Sequence, residues 1–278
     1  MAGNFHKMHG LGNDFVVIDC RCAPMEMTAA KARAISDRKT GIGCDQLILL
    51  MPSAIADIQM LIYNHDGTQV EACGNAARCV TALIGNDCSI ETAGGIINGM
   101  LLGEQIGVDM GTPKFEWDEI PLAFAMDTAA MPIAWEGLSG PIAVNVGNPH
   151  AVFVVKDCDT ADLENLGPLI ENDPIFPERV NVNVADVTGG EINLRVWERG
   201  AGLTRACGTG ACATAVALIR RNLVSSPVKV NLPGGTLTIA WQPGGNIMMT
   251  GDTAHVFTGT ANWDDFDNLH GVANLDGF

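Results

Sequence analysis

The chain has 278 residues, of which 47% are hydrophobic and only 17% charged, enough apolar sequence for one large domain or two modest ones. Asp and Glu number 32 against 16 Lys and Arg, and the resulting formal charge of -16 repels nucleic acids and anionic membrane surfaces. We therefore expect neither a nucleic-acid nor a membrane partner, and any acidic ligand must be held by strong local donors.

The beginning of the chain, MAGNFHKMHGLGNDF, lacks the continuous apolar segment typical of an export signal, and no apolar run elsewhere is long enough to span a membrane. Its nine cysteines are odd in number and lack the dense, regular spacing of a disulfide-rich secreted module. Neither Cys-x2-Cys pairs nor suitably spaced histidines indicate a metal site. We predict a cytoplasmic protein with free thiols and no bound metal.

The predicted elements follow the same order twice along the chain. Each series has an apolar, β-branched strand, a second strand, a polar loop and an Ala-rich helix that begins with a cysteine. The first series has strands at Phe15–Ile18 and Ile58–Tyr63 and a helix after Cys73. The second has strands at Ala151–Val155 and Ile192–Trp197 and a helix after Cys207.

The helices begin with nearly the same sequence, ACGNAARCVTALI and ACGTGACATAVALI, and their leading cysteines lie 134 residues apart. Upstream, IQMLIYNHDGTQVEA aligns with INLRVWERGAGLTRA at the same offset without a gap. Further upstream, GNDFVVI matches GNPHAVFVV at an offset of 135, which pairs Asn13 with Asn148. The chain therefore contains two copies of one unit.

Four prolines between residues 111 and 141, in a stretch with little periodicity, indicate a connection between two domains. We place the boundary near Trp117, so that the N-terminal repeat is 1–117 and the C-terminal repeat is 118–251. A last strand at about 252–262 is expected to complete the N-terminal repeat.

Residues 263–278 are predicted to form an acidic tail, since the chain after Gly259 contains four Asp and no Lys or Arg. Trp263, Phe266 and Leu269 are spaced for one short amphipathic turn. A frayed tail is the alternative.

The Ala-Cys-Gly sequence places each cysteine at a helix start, where the first amide N–H groups have no intrahelical partner. Gly74 and Gly208 allow a ligand to approach the backbone, and Asn75 and Thr209 add N–H donors, so each helix start is a candidate anion site. A helix start also favours thiolate over thiol, so we expect both cysteines to be more ionised than usual. A single such cysteine is more often a packed core residue, but its repetition in two units favours a function.

A duplicated fold with a pseudo-two-fold axis would face Cys73 toward Cys207 across a cleft. One thiolate would then remove a proton from a stereocentre while the other thiol returns a proton to the opposite face. Helix-start donors would hold the substrate carboxylate and stabilise the carbanion. A thiol–disulfide redox protein usually has closely spaced cysteines, and a noncatalytic amino-acid binding protein would not need two thiols.

The chain resembles the diaminopimelate epimerase family over nearly its whole length. The stretches that carry the resemblance are HKMHGLGNDFVVID, GIGCDQLILL, YNHDGTQVEACGNAARC, GNPHAVFVV, RVNVNVAD and ERGAGLTRACGTGACA. The resemblance implies epimerisation of LL-2,6-diaminopimelate to the meso form, in lysine and peptidoglycan precursor biosynthesis, with no cofactor such as pyridoxal phosphate. It also implies an α/β (α+β) fold with two pseudo-symmetric domains and commonly a homodimer. Each domain would be a barrel-like, mainly antiparallel sheet around a central helix, with the active site in the cleft between them.

The resemblance also assigns individual residues. Cys73 and Cys207 are the expected catalytic base and acid. The positions expected to bind substrate are Asn13, Gln46, Asn64, Gly74, Asn75, Asn148, Asn183, Glu198, Arg199, Gly208 and Thr209. His150 and Glu198 are expected to modulate the pKa values of the thiols. Taken singly, such residues are more often turn asparagines, solvated ion pairs or structural histidines.

The nearest alternative is a proline or hydroxyproline racemase-type epimerase, which is similar in its paired cysteines and fold. Proline has neither a distal carboxylate nor a second amine. Arg199, together with Asn64, Asn148 and Asn183, would have no role in that enzyme, and substrate size therefore separates the two hypotheses.

Overall fold

The computed structural model describes residues 2–267, which form two compact units. The described residues up to Ile106 and from Asp252 onward make up the first unit, and Gly107–Gly251 make up the second. The chain thus leaves the first unit, builds the second and returns. The repeat boundary near Trp117 concerns the sequence duplication and stays a prediction.

The first unit is a mixed sheet with two helices. Its elements are β1 (Ala2–Gly10), β2 (Asn13–Asp19), α1 (Ala29–Ser36), β3 (Gln46–Met51), β4 (Ile58–Asn64), β5 (Gln69–Val70), α2 (Gly74–Ile84), β6 (Cys88–Thr92), β7 (Gly95–Leu102), β8 (Gln105–Asp109), which crosses the boundary, and, after the second unit, β19 (Ala254–Asn262). β1 pairs antiparallel with both β19 and β2. β2 pairs parallel with β3, β3 antiparallel with β4, β4 parallel with β6, and β6 antiparallel with β7, while β5 lies antiparallel beside β4.

The second unit has the same plan. Its elements are β9 (Ala134–Trp135), β10 (Leu138–Ser139), β11 (Ile142–Asn145), β12 (Pro149–Val154), α3 (Leu163–Glu171), β13 (Asn181–Thr188), β14 (Glu191–Glu198), β15 (Gly202–Thr204), α4 (Gly208–Arg220), β16 (Val228–Leu232), β17 (Gly235–Ala240) and β18 (Met248–Gly251). β11 pairs antiparallel with β12, β12 parallel with β13, and β13 antiparallel with β14. β14 also pairs antiparallel with β15 and parallel with β16. β16, β17 and β18 continue the sheet in antiparallel order.

The strand register repeats as closely as the sequence does. Ile62 pairs with Val70 in the first unit, and Val196, 134 residues later, pairs with Thr204 in the second. The predicted α+β fold of two similar units is therefore confirmed.

A buried helix lies against several strands in each unit. α2 contacts β1, β2, β6 and β7, and every residue from Gly74 to Thr81 is buried. α4 contacts β11 to β14, β16 and β17, and every residue from Gly210 to Leu218 is buried. Both helices are rich in small residues, and runs of consecutive residues are buried, which is the pattern expected of a helix packed on all faces.

The proline-rich stretch between residues 111 and 141 is packed, because Ile120, Leu122 and Met131 belong to the hydrophobic core of the second unit. In the same core, the ring of Trp135 meets Phe153 edge to face, with 5.8 Å between centroids. Truncating the buried ring of Phe153 to alanine is expected to lower the free energy of unfolding by about 3–5 kcal/mol.

The first part of the predicted acidic tail is ordered against the first unit. Trp263–Phe266 form a single 3-10 turn, and the buried Trp263 ring lies 6.4 Å from the ring of Phe5. Leu269 and the remainder of the tail lie outside the described residues. In the described part of the chain, no helix combines the length and the apolar character needed to cross a membrane.

Candidate active site

Cys73 is the N-cap residue of α2, with an extended backbone at φ −148° and ψ 111°. Its carbonyl accepts the N–H of Ala77 at 2.9 Å, the bond that opens the helix. The N–H groups of Gly74 and Asn75 therefore belong to the first turn, where they have no helical acceptor. The helix start predicted from Ala-Cys-Gly is present.

Asn13 lies beside this helix start, at the beginning of β2. Its Oδ1 is 4.0 Å from the Sγ of Cys73 and accepts the Nδ2 of Asn75 at 3.3 Å. Its Nδ2 donates to Asp45 at 3.2 Å. Asn75 is in turn fixed by the buried Arg78, whose Nη2 donates to its Oδ1 at 2.9 Å. Three predicted site residues of the first unit, Asn13, Cys73 and Asn75, are therefore brought together.

A cluster of charges holds the loop on the other side of Asn13. Asp45 accepts the backbone N–H of Asp14 at 3.0 Å, and Arg38 donates to both carboxylates. Lys7 also donates to Asp14. Burial alone would raise the pKa of Asp14, but the hydrogen bonds from Arg38 and Lys7 outweigh it and lower the pKa to about 2.

Gln46 and Asn64 form a second polar pair in the first unit, directly opposite each other on β3 and β4. The Nε2 of Gln46 donates to the Oδ1 of Asn64 at 3.0 Å, and the Nδ2 of Asn64 donates to Thr68 at 3.1 Å. The Oε1 of Gln46 is buried and has no hydrogen-bond partner among the described residues. A buried carbonyl oxygen without a donor is costly and marks a position suited to a ligand.

Cys207 is the N-cap of α4, at φ −127° and ψ 108°. The residue is only 4% exposed, and its Sγ accepts the N–H of Gly210 at 3.4 Å. The hydroxyl of Thr209 lies 3.5 Å from the same sulfur. An added Cβ at Gly210 would stand 3.2 Å from the sulfur and 3.0 Å from Val196, so a larger residue would displace these neighbours by a few tenths of an ångström.

Glu198 is the acidic neighbour of Cys207. Its Oε1 accepts the hydroxyl of Thr204 at 2.5 Å, and its charge acts on the Cys207 thiol. Burial raises the pKa of Glu198, against the opposing effect of the hydrogen bonds from Thr204 and Cys207. This is the contact expected of a residue that modulates a thiol.

The expectation that both thiols are unusually ionised is wrong for Cys207. Burial and the charge of Glu198 raise the pKa of Cys207 well above its ordinary value. Hydrogen bonds from Thr209 and from the N–H of Gly210 act in the opposite direction, but they are outweighed. The helix start was a correct prediction, whereas its effect on the thiol depends on burial, which the motif does not reveal.

His150 is fully buried on β12. Its Nδ1 lies 3.3 Å from the Oδ1 of Asn183, and its Nε2 lies 2.9 Å from the Oδ1 of Asn148. Burial lowers the pKa of His150 to about 4, with a further lowering by the charge of Arg199 and an opposing effect of Asn183. The imidazole is therefore neutral at physiological pH.

Asn183 is also fully buried, and its side-chain nitrogen donates to the carbonyl of Gly210 at 3.1 Å and to Thr214 at 3.0 Å. Asn181, two residues earlier, pairs with His150 across β12 and β13, as Gln46 pairs with Phe15 across β2 and β3. Asn181 is thus the counterpart of Gln46. The offset of 135 that relates Asn13 to Asn148 also relates Gln46 to Asn181, so the repeat carries the signal.

Arg199 follows β14 and is half-buried. Its backbone N–H donates to Asn181 at 2.9 Å, and its Nη1 donates to the carbonyl of Glu178 at 2.8 Å. No acidic side chain in residues 2–267 forms an ion pair with it. In a chain with twice as many acidic as basic residues, this guanidinium keeps most of its donors for other partners.

Sequence reasoning missed the residues that support the predicted ones, namely Asp45 beside Asn13 and Thr204 beside Glu198. A loop aspartate and a threonine at the end of the short strand β15 carry no motif of their own, so their role depends on the tertiary contacts. Among the described residues, His, Cys, Asp and Glu nowhere gather in the groups of three that could hold a metal ion.

The fold resembles that of solved structures whose sequences differ widely from this chain. A phenazine biosynthesis protein of the PhzF family from Enterococcus faecalis covers 94% of this chain with 100% of its own, at a TM-score of 0.70 and 13% identity. A hydroxyproline epimerase from Agrobacterium vitis covers 94% of this chain with 91% of its own, at a TM-score of 0.67 and 17% identity. At these identities the likeness shows the fold alone.

The family follows from the sequence comparisons. The family model described as diaminopimelate epimerase matches residues 5–116 and 142–256. A diaminopimelate epimerase from Rhizorhabdus wittichii is 64% identical over 93% of this chain and 95% of its own length, and one from Sphingopyxis alaskensis is 60% identical over 96% and 100%. The chain belongs to the diaminopimelate epimerase family, which is a family of isomerases.

Proposed function

We propose that this protein interconverts LL-2,6-diaminopimelate and meso-2,6-diaminopimelate, a step on the route to lysine and peptidoglycan precursors. Its membership of the family, together with a cysteine at the start of each central helix, is the observation that carries the proposal. Each thiol can exchange one proton with the substrate, so the reaction needs no cofactor and no metal.

The two helix starts have complementary tasks in this mechanism. The thiolate of Cys73 removes the α-proton and becomes a thiol, while the thiol of Cys207 gives its proton to the opposite face and becomes a thiolate. The negative charge that spreads onto the α-carboxylate is stabilised by the N–H groups of the first helical turns, at Gly74, Asn75 and the equivalent positions of α4. The reverse reaction exchanges the two roles.

The environment of Cys207 supports its assignment as the resting acid. Because burial and Glu198 raise its pKa, it holds its proton in the resting enzyme. When the substrate arrives, Thr209 and the N–H of Gly210 stabilise the thiolate that forms as the proton leaves. Between turnovers the Cys207 thiolate takes up a proton from solvent and the Cys73 thiol gives one up, which restores the resting state.

Recognition of the rest of the substrate is assigned to amides and one arginine. The unpartnered Oε1 of Gln46 is an acceptor for an ammonium group, and Asn64 and Asn148 carry further amide groups. The planar guanidinium of Arg199 supplies two parallel N–H donors for the distal carboxylate in an otherwise acidic protein. We add Asn181 to this set, because it occupies the position equivalent to Gln46.

The proposal is tested with purified protein, LL-diaminopimelate and heavy water, after dialysis against a chelator. We expect the meso isomer to form with solvent deuterium at the α-carbon. Changing either Cys73 or Cys207 to alanine should abolish epimerisation in both directions, since inversion needs both faces. Cys79→Ala and Cys212→Ala are matched controls, because both residues are fully buried on the same helices. Near wild-type epimerisation by Cys73→Ala would refute the two-base assignment.

Arg199→Lys separates the proposal from a proline or hydroxyproline racemase, whose support here is a likeness in fold only. The variant keeps the charge but loses the two parallel donors, and binding of diaminopimelate should weaken by about 1–3 kcal/mol. Unchanged affinity combined with racemisation of proline would favour the alternative.

We also infer that the protein is a homodimer in the cytoplasm. Val256 and Phe257 on β19 are 56% and 48% exposed, which is unusual for large apolar side chains and suits a face covered by a second copy. Thiols used in catalysis require a reducing compartment. Sedimentation of the wild type and of Phe257→Ser tests the dimer, since the variant should shift toward monomer while keeping its fold.

A further inference from the structure

The two units differ in the packing beneath their cysteine-led helices. In the second unit, His150, Asn183 and Thr214 are fully buried and polar. The strand register places Phe15 and Ile48 at the positions equivalent to His150 and Asn183, and the helix repeat places Val80 at the position of Thr214. The three equivalent residues of the first unit are buried and apolar.

This difference shows that the fold does not need the polar set. An apolar trio builds the same helix-on-sheet contact in the first unit without any polar group to satisfy. Burying polar groups is costly unless every one is hydrogen-bonded. A polar trio retained where an apolar one suffices points to a task other than stability.

The hydrogen bonds lock the orientation of Asn183. Its Nδ2 donates to two acceptors on α4, the carbonyl of Gly210 and the hydroxyl of Thr214. A half-turn of the amide would set its Oδ1 against the carbonyl of Gly210, two acceptors without a proton between them. The Oδ1 of Asn183 therefore faces the Nδ1 of His150, at 3.3 Å, and this ring nitrogen must be the donor.

The remaining ring nitrogen then has a defined role. A neutral imidazole donates through only one nitrogen, so Nε2 of His150 accepts. A charged ring is disfavoured, because no described carboxylate is bonded to it and Arg199 is the charge that acts on it. The amide of Asn148 stands 2.9 Å from Nε2 and can turn by half a revolution at little cost. Its N–H then faces the ring and its carbonyl oxygen faces away.

We propose that Asn183 is a positioning residue that fixes His150 as the Nδ1–H tautomer, so that Asn148 presents its carbonyl oxygen as an acceptor for the ammonium group of the substrate. The inference rests on the proposed function for the identity of that substrate. The Asn148 side chain has no other partner among the described residues, so its outward atom is available. This series of hydrogen bonds, called the lock below, runs from the first turns of α4 through Asn183 and His150 to Asn148.

The tautomer is tested without any activity measurement. Long-range proton–nitrogen correlation spectra of the protein labelled with nitrogen-15 in histidine distinguish the two neutral tautomers from the charged ring. The His150 signal is assigned by its loss in His150→Gln. We expect the Nδ1–H tautomer at neutral pH. An Nε2–H tautomer or a charged ring in the wild type would overturn the proposal.

The lock is tested by giving the second unit the residues of the first. Asn183→Ile, alone and with Thr214→Val, copies Ile48 and Val80 and is therefore expected to fold. The freed His150 should gain the Nε2–H tautomer and turn the Asn148 oxygen inward. KM for diaminopimelate should then rise about tenfold with a smaller change in kcat, the size of one lost hydrogen bond to a charged group.

The matched control is Thr81→Val on α2, the equivalent helix of the first unit. This buried hydroxyl donates to the carbonyl of Ala77 on the same helix. It should leave both the His150 tautomer and KM unchanged. An Asn183→Ile protein that keeps the Nδ1–H tautomer and the wild-type KM would refute the lock. A wild-type protein with the expected tautomer but no epimerase activity would refute the proposed function and leave the tautomer assignment standing.

Discussion

Replacing Asp14 by asparagine should destabilise the first unit in a way that disappears in acid. Asp14 follows Asn13 on β2, and its side chain is only 17% exposed. Arg38 donates to it at 2.5 Å, and Lys7 donates to its other oxygen. The charge pair holds the loop that orients Asn13, so stability and site geometry depend on the same contacts.

The magnitude follows from the pKa. The pKa of Asp14 falls from its ordinary 3.8 to about 2 in the folded protein, because the hydrogen bonds from Arg38 and Lys7 exceed the effect of burial. A depressed folded-state pKa contributes stability that is complete above the unfolded value and lost as pH falls from about 4 to about 2. A difference of about 1.8 pKa units, at about 1.4 kcal/mol per unit, corresponds to about 2.5 kcal/mol, which solvent screening of the partly exposed pair lowers to about 2 kcal/mol.

Urea unfolding of the wild type and of Asp14→Asn, from pH 7 down to the acid limit of folding, measures this contribution. The difference in unfolding free energy should shrink by about 2 kcal/mol over that range, because asparagine resembles the protonated aspartic acid. Arg38→Gln should lose most of the same contribution, while Lys39→Gln, the neighbouring exposed cation, should not. A difference that stays constant with pH would refute the assigned ion pair.

Three further predictions concern the cysteines. Gly210→Ala should change the unfolding free energy by less than about 2 kcal/mol, because the higher helix propensity of alanine offsets the overpacking. It should still lower kcat/KM about tenfold, because the added methyl group displaces the Cys207 sulfur. A wild-type kcat/KM would contradict the contact. Glu198→Gln should lower the pKa of Cys207, seen by peptide mass spectrometry as alkylation of that residue at lower pH than in the wild type; an unchanged pH dependence would show that Glu198 does not act on the thiol. A mild oxidant should inactivate the enzyme by forming a Cys73–Cys207 disulfide, and a reductant should restore activity. The inactivation should become faster as pH rises. Peptide maps that show other cysteine pairs linked in the inactivated enzyme would argue against two thiols at one carbon.

The sequence by itself determined the repeat, the cysteine-led helices and the family. These features are local or periodic: Ala-Cys-Gly sets a helix start through backbone geometry alone, and an offset of 134 residues pairs whole strands without knowledge of their contacts. The counterpart of Gln46, Asn181, was within reach of the same reasoning, since the offset of 135 that pairs Asn13 with Asn148 leads to it.

Only the tertiary structure decided how the side chains around those helices behave. A helix start favours thiolate, but Cys207 is buried beside Glu198, and its pKa rises because desolvation and a neighbouring charge exceed the effect of a few N–H groups. Asn183 looked like a ligand-binding residue, whereas its amide is enclosed between β13 and α4 and bonded on both sides. Burial and orientation are set by residues far apart in sequence, so no motif records them.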